Sequence, residues 1–193
     1  MLLRNLIAAA VTVCCVLPAV RSASAQSVLY DKSHITCVSR QMNVPVEAGF
    51  KKFTADITFD PARPETGKSR IEIDMDSFDI DNAEVNDEAK GKAWFDARSF
   101  PKATFVSSGI KALGGGKYEA RGSLSIKGKT NEVVAPFTYK DEGGSGVFDG
   151  VFPIRRLQYN IGEGAWKDTD TVADEVQIKF HLVTSAIKPP AKK

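Results

Sequence analysis

A chain of 193 residues is long enough for one domain with an ordinary core, and 26 basic against 24 acidic side chains is too even a balance to mark a nucleic-acid or anionic-membrane binder. The small excess disappears on processing, because Arg4 and Arg21 belong to the leader described next and leave 24 of each sign behind it. Of three cysteines only Cys37 lies beyond that leader, so the remaining chain cannot form an internal disulfide and must be held by packing.

Residues 1–25 read as a secretory signal peptide. Arg4 gives a positive start, Leu6–Val20 is apolar apart from Thr12 and Pro18, and Ala23-Ser24-Ala25 fits small-residue cleavage before Gln26. The apolar run is shorter than the ~20 residues a membrane span requires. The expected address is the periplasm, with a domain over 26–187 and a disordered tail over 188–193.

Period-two alternation then predicts strands with one covered face. Ser33–Gln41 comes first. In Thr54–Phe59 the covered set is Ala55, Ile57 and Phe59, and in Arg70–Asp76 it is Ile71, Ile73 and Met75. Asn82–Lys90 is the one convincing helix, with Asp81 and Glu84 as an expected capping pair, Val85 and Ala89 as its apolar stripe, and Gly91 as its stop. Gly91–Phe105 follows, rich in rings: Trp94, Phe95 and Phe100 precede Pro101, where a turn would expose them unless something covers them.

Further strands are expected over Ala103–Ile110, Tyr118–Ile126, Glu132–Lys140, Val147–Ile154 and Glu175–Val183. The last places Val176, Ile178, Phe180 and Leu182 inward. Gly/Pro-rich breaks at 61–67, 114–116, 127–129 and 141–146 separate them at hairpin intervals. About eight such strands must close or double over to hide the apolar face, and an eight-strand barrel can be filled or hold one small ligand. Gln158–Ala173 breaks the pattern and reads as an ordered loop.

Catalytic constellations are scarce. His34 and His181 are the only histidines beyond the leader; His181 falls on an outer face, and His34 is either structural or a rim donor to a ligand head. Asp74, Asp76, Asp79 and Asp81 lack the Gly and terminal Glu of a calcium loop. Gly114-Gly115-Gly116 leads into a strand and so reads as a hairpin rather than a phosphate cradle. Cys37 shares the inward parity of Ile35. The inward sets mix large and small residues, which fits an interdigitated core or spared volume for a ligand; packing density alone favours the core.

Several stretches together resemble the YceI-like family, which is similar in shape to lipocalins. They are Tyr-Asp-Lys-Ser-His at 30–34, Gln-Met-Asn-Val-Pro-Val-Glu-Ala-Gly-Phe at 41–50, and Ile-Thr-Phe-Asp-Pro at 57–61. Trp-Phe-Asp-Ala-Arg-Ser-Phe-Pro-Lys-Ala-Thr-Phe at 94–105, Gly-Ser-Leu-Ser-Ile-Lys-Gly-Lys-Thr at 122–130 and Ile-Arg-Arg-Leu-Gln-Tyr-Asn-Ile-Gly at 154–162 complete the match.

The resemblance implies an all-β, eight-stranded antiparallel barrel with one short helix near its end, whose cavity holds a polyisoprenoid, an isoprenoid quinone or a fatty-acid derivative. The expected role is a non-catalytic carrier with no metal and no cofactor beyond the bound lipid. Met75, Phe78, Trp94, Phe95, Phe100, Phe105, Leu124, Phe137 and Phe180 would line the cavity or its mouth, and Arg156, Tyr159 and His34 would meet the polar head. A homodimer and a membrane cytochrome of the b561 type are implied partners. The competing readings are an enzyme acting on the same lipids through His34, and a partner-binding barrel with a solid core.

Overall fold

The computed structural model describes residues 26–185; the expected leader and the tail lie outside them. Ten strands form one antiparallel sheet. They are β1 (His34–Gln41), β2 (Val44–Phe50), β3 (Phe53–Thr58), β4 (Lys68–Asp74), β5 (Phe78–Asp79), β6 (Lys102–Gly114), β7 (Lys117–Ile126), β8 (Lys129–Glu142), β9 (Ser145–Arg155) and β10 (Glu175–Thr184). Their spatial order is β3-β4-β6-β7-β8-β9-β10-β1-β2-β5.

That order explains the curvature. β2 lies near one end of the sheet and β3 at the other, yet only Lys51 and Lys52 separate them in the chain. The two are halves of one bent segment, so the sheet must curl back on itself. Lys51 N and Lys52 N donate to Ser77 O and Ser77 Oγ, each at 3.0 Å, and hold the bend. Taking β2 and β3 as one bent strand and β5 as a two-residue annex leaves the eight long strands expected from the sequence.

Two elements depart from that expectation. β2 contains Pro45 and Gly49, which interrupt the alternation, and it emerges only because β1 offers it a ladder from Thr36↔Gly49 to Gln41↔Val44. The strand expected through Asp76 ends at Asp74, whose side chain accepts from Asp76 N (3.0 Å) and turns Met75–Ser77 into a 3-10 turn. The acidic run is therefore partly a cap, and the described residues contain no cluster of three metal-ligating side chains.

The helix α1 (Ala83–Lys90) lies where it was expected, but its cap differs. Asn82 Oδ1 accepts from Val85 N (3.2 Å), while Asp81 sits one residue earlier with φ of 56°. Asn fills the capping role as well as Asp does, which makes the start ambiguous by one position from sequence alone.

Registers place the covered residues in rungs. Ala55, Ile71, Phe105 and Leu124 are successive partners across β3, β4, β6 and β7, and Phe180 opposes Ile35 while Ile178 opposes Cys37 across β10 and β1. One end of the barrel is packed solid. Phe59, 1% exposed, meets the rings of Tyr118, Phe137, Tyr139 and Phe148 at centroid distances of 5.1, 5.8, 5.1 and 5.5 Å. Ring contacts of this edge-on kind add to the burial of each ring.

Candidate functional site

Above that aromatic floor the barrel is hollow. A cavity of about 880 Å³ runs from the floor to the end carrying α1. Its walls explain an otherwise odd burial pattern: Ile71, Ile73, Phe105, Ile178 and Phe180 all point inward, yet each is only half-buried. In a solid core they would be sealed, so the expectation of a filled interior, drawn from packing density, is overturned. Alternation fixes which way a side chain points; it does not fix whether the opposite wall reaches it.

Small residues on the same rungs keep the wall thin. At Gly122 a Cβ would lie 2.7 Å from the Phe105 ring and would also overlap Val106 O. Ala48, Ala103, Ala120 and Ala135 line the space without filling it.

The mouth is built from three segments. Phe50, Phe78 and Phe95 form a ring triad beneath α1, with centroids 5.3 to 6.3 Å apart. α1 contributes Val85 and Ala89 together with the carboxylates of Glu84, Asp87 and Glu88. The loop after β9 contributes Trp166, whose ring lies 5.3 Å from Trp94.

Two buried cations hold this loop in place. Lys127, 8% exposed, donates from Nζ to Lys92 O (2.7 Å), Asn160 O (2.8 Å) and Glu163 Oε2 (2.9 Å), tying the ring-rich stretch to the loop. The hydrogen bond from Lys127 also holds the exposed Glu163 carboxyl below its ordinary pKa. Arg156, 1% exposed, lines the cavity and donates to Ala173 O (3.1 Å), Ile161 O (2.9 Å), Val172 O (2.7 Å) and, at the long limit, Gly162 O (3.4 Å). Its guanidinium carbon also lies 5.8 Å from the centroid of the Trp94 ring. Gly162 has φ of 81°, and a Cβ there would overlap Arg156 Nη1, so both the turn and the close approach require glycine. Burial pulls the Arg156 pKa below its ordinary value, with Asp174 acting against that.

Most of the site residues expected from the sequence gather here. Met75, Phe78, Trp94 and Phe95 stand around the upper cavity, while Phe105, Leu124, Phe137 and Phe180 form its walls and floor; Arg156 is at the loop end. Three residues do not join them. His34 is exposed on the outside of β1, stacked on His181 at 5.1 Å, because Ile35 and Cys37 take the inward parity. His181 in turn contacts Asp149 through Nδ1 (2.6 Å). Phe100 packs over the β7–β8 turn, close enough that a Cβ on Gly128 would lie 2.9 Å from its ring. Tyr159, 1% exposed, is packed with Ala135, Phe152 and Ile154 behind the wall, beyond the point where the β8–β9 ladder stops at Phe137↔Gly150 next to Pro136, which has no N–H to give. Neither Phe100 nor Tyr159 lines the cavity.

Sequence reasoning missed Phe50, Trp166 and the acidic face of α1 as lining residues. Phe50 lies in the strand that Pro45 and Gly49 disguise, Trp166 in a loop without periodicity, and the helix stripe of Val85 and Ala89 says nothing of where the neighbouring carboxylates face.

Cys37 lines the cavity and is half-buried there, and the desolvation imposed by the surrounding apolar wall, reinforced by Glu47, pushes its thiol up to about 12 against a hydrogen bond from the Ala48 backbone. At pH 8 such a thiol is roughly one part in ten thousand ionised, against about a quarter for an unperturbed one. Alkylation by iodoacetamide at pH 8 is therefore expected to be about a thousandfold slower in the folded protein than in urea. Equal rates would show that the cavity wall does not hold the thiol neutral.

A curled antiparallel sheet with a packed floor, an apolar cavity and a helix at the mouth defines a container-type β-barrel of lipocalin-like shape. The model of the YceI-like domain matches residues 27–184, and the chain belongs to the YceI-like family. The structure is similar to that of Burkholderia cenocepacia BcnA, with 52% identity and a TM-score of 0.80 over 81% of this chain and 99% of that one. It also shares its fold with a polyisoprenoid binding domain from Saccharophagus degradans implicated in plant cell wall breakdown, at 13% identity and a TM-score of 0.65, covering 83% of this chain and 98% of that domain. A UPF0312 protein of Pseudomonas savastanoi pv. phaseolicola is 30% identical over 98 residues. The matched stretch is 51% of each chain, so this chain spans about half the length of the curated relatives it matches.

Proposed function

We propose that the protein is a periplasmic carrier that holds one long-chain amphiphile, a polyisoprenoid or an isoprenoid quinone, in the barrel cavity. The carrying observation is the cavity of about 880 Å³ walled by inward residues that remain half-buried. Its size is at the upper end of ordinary small-molecule pockets. About ten buried methylenes would contribute ~8 kcal/mol before the costs of association, so an apolar tunnel supplies useful affinity without reactive groups. The ligand attributed to the Saccharophagus degradans domain fits the same reading.

The mouth favours an uncharged oxygen-bearing head. Arg156 has five N–H donors and spends four on backbone carbonyls, so it retains one N–H for a carbonyl or hydroxyl oxygen and has no free fork with which to clamp a phosphate. The carboxylates of Glu84, Asp87 and Glu88 add repulsion toward an anionic head. A homodimer and a membrane cytochrome of the b561 type are proposed companions.

Purification from the native host, followed by solvent extraction and mass spectrometry, is expected to yield an isoprenoid lipid at close to one per protein. Protein that carries no lipid and refuses added long-chain polyprenol would sink the reading. Turnover of a bound quinone would favour the enzyme instead.

A further inference from the structure

The two most exposed large apolar side chains in the described residues stand on one hairpin tip, flanked by Gln41 and Val46 of the cavity lining. Met42 and Val44, at 72% and 61% exposure, occupy the tip of the β1–β2 hairpin, and Val85, at 44%, belongs to both α1 and the cavity lining. Val44 is paired with Gln41 and continues the inward parity of Val46, so the lip is an extension of the cavity wall into solvent. Other exposed valines differ in setting. Val106, Val134 and Val151 stand singly on outer faces opposite Ser123, Arg121 and Lys179, the scattered arrangement that carries no meaning.

Met42 is also held out by its backbone. It adopts φ of 47° and Asn43 φ of 66°, a left-handed pair unusual for methionine, and Met42 N is fixed to Thr171 O (3.0 Å).

We propose that this lip docks on a zwitterionic phospholipid bilayer and passes the apolar ligand directly between membrane and cavity. The inference rests on the carrier reading, because a ligand insoluble in water must be collected from a lipid phase, and the lip continues the β2 wall of Val46, Ala48 and Phe50, whose ring meets Phe78 and Phe95. Charge does not drive the docking. The acidic side chains of α1 at the same mouth repel anionic headgroups, so contact comes from insertion of Met42 and Val44.

The test uses the full chain with phosphatidylcholine vesicles. Flotation with the vesicles is expected for the wild type, equally at low and high salt and no better when phosphatidylglycerol is added. Met42→Asp with Val44→Asp, which leaves the cavity lining intact and suits the left-handed turn, is expected to lower vesicle binding about tenfold or more. The same variant should take up a detergent-dispersed polyprenol within about twofold of wild type. Failure of the wild type to float, floating that requires phosphatidylglycerol or an added protein, or a variant that floats normally would each overturn the lip. A wild type that floats but takes up no dispersed polyprenol would overturn the carrier reading and leave the lip standing.

Discussion

Arg156→Met is expected to cost the barrel about 3–5 kcal/mol and to free the loop over 160–173, although no carboxylate partner is removed. The reason is in the acceptors. Three well-formed bonds and one long one satisfy the carbonyls of Ile161, Gly162, Val172 and Ala173, all drawn around one guanidinium. Methionine fills the stem of the space and satisfies none of them, and each buried carbonyl left without a donor costs ~1–3 kcal/mol, with the lower figure applying where water can follow. Arg156→Lys retains the charge but has three donors on one nitrogen instead of a planar fork, so it should recover less than half of the loss. Denaturant unfolding gives the stability change, and amide exchange at Ile161, Gly162 and Val172 reports the loop. A variant of wild-type stability whose exchange is unchanged would show that the carbonyls are satisfied without Arg156.

This result would also separate two roles that the sequence could not. The family resemblance and its charge make Arg156 a candidate head-group ligand, and its burial against backbone carbonyls has no trace in composition or spacing. It lines the cavity while working chiefly as a clamp.

What was legible follows from what alternation encodes. Where a strand keeps strict period two, as in Arg70–Asp74 and Glu175–Val183, the sequence names the inward residues, and Phe105, Leu124, Phe137 and Phe180 were placed correctly for that reason. His34 obeys the same rule: Ile35 and Cys37 point inward, so their neighbour must point out. Pro45 and Gly49 hid β2 and with it Phe50. Tyr159 and Phe100 lie where the backbone turns, so no periodicity aims their rings, and neighbours distant in sequence decide their packing. The hollow itself was invisible in the alternation, since the same pattern of Phe and Ala serves a filled or an open barrel.

The sharpest test of the hollow is Phe105→Glu, expected to weaken polyprenol binding at pH 8 by about a hundredfold or more while leaving the empty barrel folded. Phe105 stands midway along the cavity, opposite Ile71 and Leu124 in the ladders. With the cavity empty, water entering from the mouth can hydrate a carboxylate there, and the fold loses mainly the packing of one half-buried ring. With an isoprenoid chain bound, the carboxylate must lose that water or bind a proton, and an ionised carboxyl buried without a partner is far costlier than a neutral one. A hundredfold loss corresponds to ~2.8 kcal/mol, within the cost of desolvating one such group. The pH dependence has a definite sign. Bound lipid disfavours the charged form and raises the carboxyl pKa, so binding takes up a proton, and affinity should recover as pH falls from 8 toward the free carboxyl value of ~4.3. Phe105→Leu, apolar at every pH, should lose less than about tenfold and show no such recovery. Binding by Phe105→Glu as tight as wild type at pH 8 would place the ligand outside the barrel; a uniform loss without pH dependence would mean that the ring, rather than the apolar wall it completes, is what the ligand requires.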